Sequence, residues 1–189
     1  MIYELPTSLV VGGIRHEIRS DYRAVLDILA ALSDHELSDA DKLNVLLNIF
    51  YIEVPENIED AVKQCFLFIN RFQPENDSSQ PKLMDWDKDF NFIADAITVK
   101  TGHDIRAAEY IHWWTFVGYY MNIGDCFFAQ VVSVRKKRAK GQKLDDLDRE
   151  FYRNNRALID MDEQITPEED ALIAAWAGGE NNGRRYDNY

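Results

Sequence analysis

No stretch of this 189-residue chain reaches the roughly 18 consecutive apolar residues that a membrane-crossing helix needs. The nearest approach, Trp113 to Met121, is too short and is bounded by His112, Asn122 and Asp125. The opening Met1-Ile2-Tyr3-Glu4-Leu5-Pro6 has neither the basic start nor the long apolar run of a secretion signal. The expected location is therefore the cytosol in which the chain is made, with no membrane partner. Cysteine is scarce as well. Cys65 and Cys126 are the only two, and each lies in an apolar run, so both read as small buried hydrophobes rather than a disulfide pair. Basic residues are outnumbered, with 21 Lys and Arg against 33 Asp and Glu, for a net charge of −12. Such a field repels nucleic acid and anionic membrane and aids solubility. It leaves room for a basic protein partner or for mimicry of DNA.

Catalytic signatures are missing too. There is no glycine-rich phosphate loop and no nucleophile elbow. His35-Glu36-Leu37-Ser38-Asp39 begins like a zincin helix but ends in Asp, where the metal needs a second imidazole. Asp85-Trp86-Asp87-Lys88-Asp89 alternates acids like a calcium loop. Phe90 and Ala96, however, stand where that loop needs its turn glycine and its bidentate Glu. It reads instead as a helix N-terminus, where carboxylates meet unpaired amides and the positive end of the dipole. Lys100-Thr101-Gly102 and Ser133-Val134-Arg135-Lys136 match penicillin-binding signatures in reversed order, without the Ser-Asp-Asn that belongs between them. His103-Asp104 has only His112 nearby, too few ligands for a helical metal-dependent phosphohydrolase. The expectation is a non-enzyme with no catalytic residue, metal or cofactor.

What the chain has is core material: 46% hydrophobic and 12% aromatic residues, which exclude global disorder. Ser8-Leu9-Val10-Val11, Gly12-Gly13 and the alternating Ile14, His16 and Ile18 predict a β-hairpin on a tight primed turn. A two-stranded hairpin is marginal alone, so it must pack on helices or pair with another chain. Helical periodicity follows. Tyr22, Val25, Leu26, Leu29 and Leu32 form one stripe behind a Ser20 cap. Ser38 caps a second helix carrying Leu43, Leu46, Leu47 and Phe50. Pro55 opens a third with Ile58, Val62, Cys65, Phe66 and Ile69 inside. Residues 73–82 read as a linker. Asp85 then caps a helix with Phe90, Ile93, Ala94 and Ile97, which Gly102 ends. Residues 113–121 are apolar nearly all round, as in a helix enclosed by others. Residues 127–134 fit helix or strand, with helix favoured by length. Leu144, Leu147, Phe151 and Leu158 mark one more helix, and Thr166-Pro167-Glu168-Glu169 opens a last one ending near Trp176.

The fold expected is mainly α, a bundle of seven to eight helices with a short N-terminal hairpin. Its parts are an N-terminal lobe over 1–73, a linker over 74–83, a C-terminal helical lobe over 84–177 and a flexible tail over 178–189. Two groups stand out as partner contacts. Arg135, Lys136, Lys137 and Arg138 head the only concentrated basic patch, otherwise read as a solvated helix end neutralised by Asp145, Asp146 and Asp148. Trp113, Trp114 and Phe116 are core first, and any that surface beside Trp86 are natural anchors.

Asp85-Trp86-Asp87-Lys88-Asp89-Phe90, Gly102-His103-Asp104-Ile105, His112-Trp113-Trp114-Thr115-Phe116 and the Arg135–Arg138 basic stretch together resemble the bacteriophage gene-product-fifteen family, to about Met161. That resemblance implies a tail-module protein of tailed phages and prophages of Gram-positive bacteria, encoded near the tape-measure gene. Its expected role is a tail-assembly chaperone that binds the tape-measure protein or other tail proteins in the host bacterial cytoplasm. Homo-oligomers through the hairpin also fit. The alternatives are an acidic DNA mimic that inhibits a host DNA-binding protein and, less favoured by the residues, the phosphohydrolase. The resemblance carries over no catalytic residue.

Overall fold

Gly12 and Gly13 both hold positive φ, +57° and +84°, the pair of values a two-residue primed turn requires. They join β1 (Ser8–Val11) to β2 (Ile14–Glu17) in an antiparallel hairpin whose register sets Val11 against Ile14 and Leu9 against His16. The computed structural model describes residues 4–71 and 83–160. Among these, eight α-helices follow the hairpin, so the protein is mainly helical as its periodicity predicts.

Helix α1 (Tyr22–Ser33) packs on α2 (Asp39–Phe50), and α3 (Ile58–Ile69) closes against α2 and the hairpin. After residues 72–82 come α4 (Trp86–Thr101), a 3-10 turn (Ile105–Ala107), α5 (Trp113–Met121) and α6 (Phe127–Ala139), then the short α7 (Asp146–Asn154) and α8 (Arg156–Ile159). Leu9, Val11, Val25, Ile28, Phe50, Phe68, Ile93, Ile97 and Phe116 share one core that draws on both sides of residues 72–82. Val131, Val134 and Ile159 form a second, smaller one. The linker expected over 74–83 (Leu83 aside), the helix at 166–176 and the tail at 178–189 lie outside the described residues.

Several local expectations shift. Asp21, not Ser20, caps α1, because its carboxylate accepts the Arg23 N–H at 2.9 Å. Ser20 is buried instead, its hydroxyl 2.8 Å from that of Tyr110 and its carbonyl accepting the Trp113 N–H. Pro55 precedes α3 by three residues, and Asn57 provides the cap. The stretch from Leu144 to Leu158 is not one helix. It breaks at Asn155, whose backbone leaves helical values, and Leu147 is 77% exposed. Elsewhere the expected chemistry holds. Ser38 caps α2, Asp85 caps α4 by accepting the Asp87 and Lys88 N–H groups, and Gly102 ends α4 at φ +77°. The 127–134 segment is helical, and Cys126 caps it through its sulfur, 3.4 Å from the Ala129 nitrogen. Both cysteines are free thiols, and burial raises the pKa of the Cys65 thiol. No helix among the described residues is long and apolar enough to cross a membrane.

Candidate functional site

Helix α4 carries two apolar stripes. One, Ile93, Ala94 and Ile97, is fully buried. The second runs along a neighbouring face at i, i+4, i+7 spacing: Phe92, Ala96 and Val99. Only one of these faces can point into the core, so the other lines an open groove of about 710 Å³. Ile123, Cys126 and Phe127, from the turn before α6 and its first residues, form the opposite wall. Phe127 lies between Phe92 and Phe151, its ring tilted by 44° and 58° to theirs with centroids 5.2 and 5.5 Å apart. Val99 is 88% exposed and Phe127 is 40% exposed, so the groove presents apolar carbon directly to water. Asp95, Lys100 and Asp125 supply its polar rim. From Phe92 to Val99 the wall spans roughly 10 Å, about two turns of a partner helix.

The residues expected to contact a partner lie elsewhere, and several are inside. Phe116 is fully buried and Trp113 nearly so. The Trp113 indole N–H donates to the Ile69 carbonyl and that of Trp114 to the Phe68 carbonyl, both at 2.9 Å, tying α5 to the end of α3. Trp114 is half-buried. These bonds satisfy the polar end of each indole, which makes the pair packing residues. Trp86 is half-buried against Trp113, Phe116 and Tyr120, and its remaining surface borders two smaller depressions of about 470 and 230 Å³.

Arg135 departs furthest from its expected place. It continues the Phe128 and Val131 face of α6, so its side chain turns inward and is 4% exposed. There it meets Asp89, 2% exposed, through two hydrogen bonds of 2.6 and 3.0 Å. The same guanidinium donates to the carbonyls of Leu83, Leu158 and Ile159. One cation thereby joins α4, α6 and α8, and it is no part of a surface patch. Lys136, Lys137 and Arg138 remain outside. Lys137 pairs with Asp148 and, at 3.7 Å, with Asp145; the Asp148 contact raises its pKa. Arg138 pairs with Asp160 and lies 4.4 Å from the centre of the Tyr152 ring. Of the residues expected to neutralise the patch, Asp146 pairs with Arg149. Asp21, Asp85, Asp104 and Asp145 each cap a helical turn by accepting from its unpaired backbone amides.

The candidate metal residues are structural as well. His103 hydrogen-bonds the Thr101 carbonyl, Asp104 caps the 3-10 turn and pairs with Arg106, and no cluster of three metal-ligating residues occurs among the described residues. His112 is buried. Its Nδ1 accepts the Trp114 N–H, which fixes the other ring nitrogen as the donor to the Pro6 carbonyl, both at 3.0 Å. Burial lowers its pKa and so favours this neutral form.

The family model described as Bacteriophage Gp15 protein matches residues 1–161. The chain belongs to that family. No curated protein and no solved structure matches it. The Gp15 match takes in the hairpin, all eight helices and every residue of the groove, and it stops short of the last 28 residues. It makes this a bacteriophage protein. The groove itself was legible in part: Phe92, Ala96 and Val99 are a second helical stripe in the sequence of α4, but Ile123 and Phe127 join it only through the fold.

Proposed function

We propose that this Gp15-family protein is a non-enzymatic assembly factor, a chaperone that binds the phage tape-measure protein during tail morphogenesis. The groove between α4 and α6 is the binding surface. Its supporting observation is an apolar channel open to solvent, with Val99 almost wholly exposed and charged groups only at the rim. Exposed apolar surface of this kind marks sites that a partner covers. A tape-measure protein is a long amphipathic helix, and its apolar stripe aggregates unless covered. Two turns of such a helix fit the wall from Phe92 to Val99, with anchors at i, i+3 or i+4 and i+7 meeting the groove. The net charge of −12 favours a segment flanked by Lys and Arg and keeps the complex soluble. Co-expression with the tape-measure protein of the same phage should give a soluble complex of fixed ratio. A tape-measure protein that stays insoluble and unbound would contradict the proposal.

A further inference from the structure

We propose that the groove is one end of a longer apolar track, which crosses Phe127 and Phe151 and ends on α7 at Leu147. Its occupant is a basic amphipathic helix of the tape-measure protein that reaches both ends. The inference rests on the tape-measure reading and adds to it the extent and the charge of the bound segment.

Val99 and Leu147 are the two most exposed large apolar side chains among the described residues, at 88% and 77%. They belong to different helices, and packing joins them. Val99, Ala96 and Phe92 form the α4 wall of the groove. The Phe92 ring lies 5.2 Å from that of Phe127, which lies 5.5 Å from that of Phe151. Leu147 is four residues before Phe151 in α7, so the two share a helix face one turn apart.

Leu147 adds nothing to the core beneath it. Helix α7 turns Asp148 inward to Lys137 and sets Leu144, Phe151 and Tyr152 against Val131, Val134 and Ile159, without Leu147. The residues around it in the chain, Asp146, Asp148, Arg149 and Glu150, are all charged. An exposed apolar residue standing alone needs no explanation. Two extremes of exposure at the ends of one connected row of rings form a contiguous surface that a partner covers.

Charge selects the partner. Asp125 lines the groove just before α6, and Glu150 lies one turn beyond Leu147 on α7. Both are exposed, and neither has an ion pair among the described residues. Asp95 and Asp146, by contrast, are taken by Arg106 and Arg149. The matching segment carries Lys or Arg beside its apolar stripe where it passes Asp125 and Glu150, and the net charge of −12 draws such a segment in. The ring-to-ring steps and one turn of α7 add roughly 15 Å to the α4 wall, so a helix reaching both ends needs up to about five turns rather than two.

The test compares capture of the same phage's tape-measure protein, co-expressed with the native chain, Val99→Lys, Leu147→Lys, Leu147→Gln and Glu150→Lys, with melting curves for all five. Leu147 and Glu150 face solvent, so their variants should melt like the native chain. Leu147→Gln, neutral and of ordinary helix propensity, separates loss of the apolar contact from added charge and replaces Leu147→Lys should that variant melt early. The expected result is capture reduced about tenfold by Leu147→Lys and clearly reduced by Leu147→Gln. Glu150→Lys should lower capture most at low salt. Capture lost in Val99→Lys but unchanged in both Leu147 variants would overturn this inference and leave the groove reading standing. Loss in the Leu147 variants alone would break the continuity of the track and overturn it as well, and indifference to Glu150→Lys at every salt would overturn the charge assignment. A complex indifferent to every variant, or no complex with the native chain, would overturn both readings.

Discussion

Replacing Arg135 with Met removes a charge that the sequence places in a basic run and the structure places in the interior. Met preserves most of the apolar stem, so the change isolates the guanidinium. Its loss leaves the Asp89 side chain at 2% exposure, with only the Asp85 N–H, at 2.9 Å, still donating to it among the described residues. It also orphans the carbonyls of Leu83, Leu158 and Ile159. Breaking a buried ion pair by removing one partner costs about 3–5 kcal/mol, because the remaining charge keeps its desolvation penalty without its attraction. For a chain of this size that is a fall in melting temperature of roughly 6–20 °C. Melting followed by circular dichroism at neutral pH measures it. Asp89→Asn alone should also destabilise, and the double variant should lose clearly less than the two single losses summed, since neither unpaired charge is then left inside. A loss under about 1 kcal/mol for Arg135→Met, or simple additivity in the cycle, would refute the reasoning.

Further outcomes follow from other parts of the fold. His112 is neutral in the folded state with its pKa lowered by burial, so protonation favours unfolding. The stability it contributes is full above its ordinary value near 6.5 and is lost as pH falls below that, with a slope approaching 1.4 kcal/mol per pH unit. His112→Asn, which keeps an N-cap acceptor, should flatten the stability curve between about pH 6.5 and 5 relative to the native chain. An unchanged slope would show that His112 is not the titrating group. Arg71, just past the end of α3, holds φ +56°. Arg71→Gly should therefore stabilise by roughly 1 kcal/mol in chemical denaturation. Asp85→Ala removes the acceptor for two α4 amides and should cost about 1 kcal/mol by the same assay.

Local chemistry was the most readable part of the sequence. The Gly12-Gly13 turn, the Ser38 and Asp85 caps and the Gly102 stop are each determined by a few adjacent residues, and each sits where expected. The Ser20 and Pro55 assignments failed for lack of tertiary information. Ser20 is drawn inside by its bonds to Tyr110 and Trp113, and α3 starts later because Asn57 and Asp60 form the cap beside the hairpin turn. Arg135 was hidden by its neighbours. Within Arg-Lys-Lys-Arg nothing separates one cation from the next until α6 is laid against α4 and Asp89 comes into reach. The aromatic block shows the same limit: hydrophobicity identified Trp113 and Phe116 as core material and read residues 113–121 as enclosed, yet Tyr119 and Met121 at the end of α5 are 37% and 69% exposed, because neighbouring helices cover only its first turns.

The groove is tested most directly by capturing the tape-measure protein with the native chain and with Val99→Lys, at matched expression. Val99 is 88% exposed and touches little of its own fold, so the variant should melt like the native protein. Placing an ammonium on the apolar wall should weaken the complex by about 2 kcal/mol, roughly 30-fold in affinity. Captured tape-measure protein should fall accordingly, while Trp114→Phe, which alters α5 packing away from the groove, should retain it. Equal capture by the native chain and Val99→Lys would contradict the claim that this groove is where the partner binds.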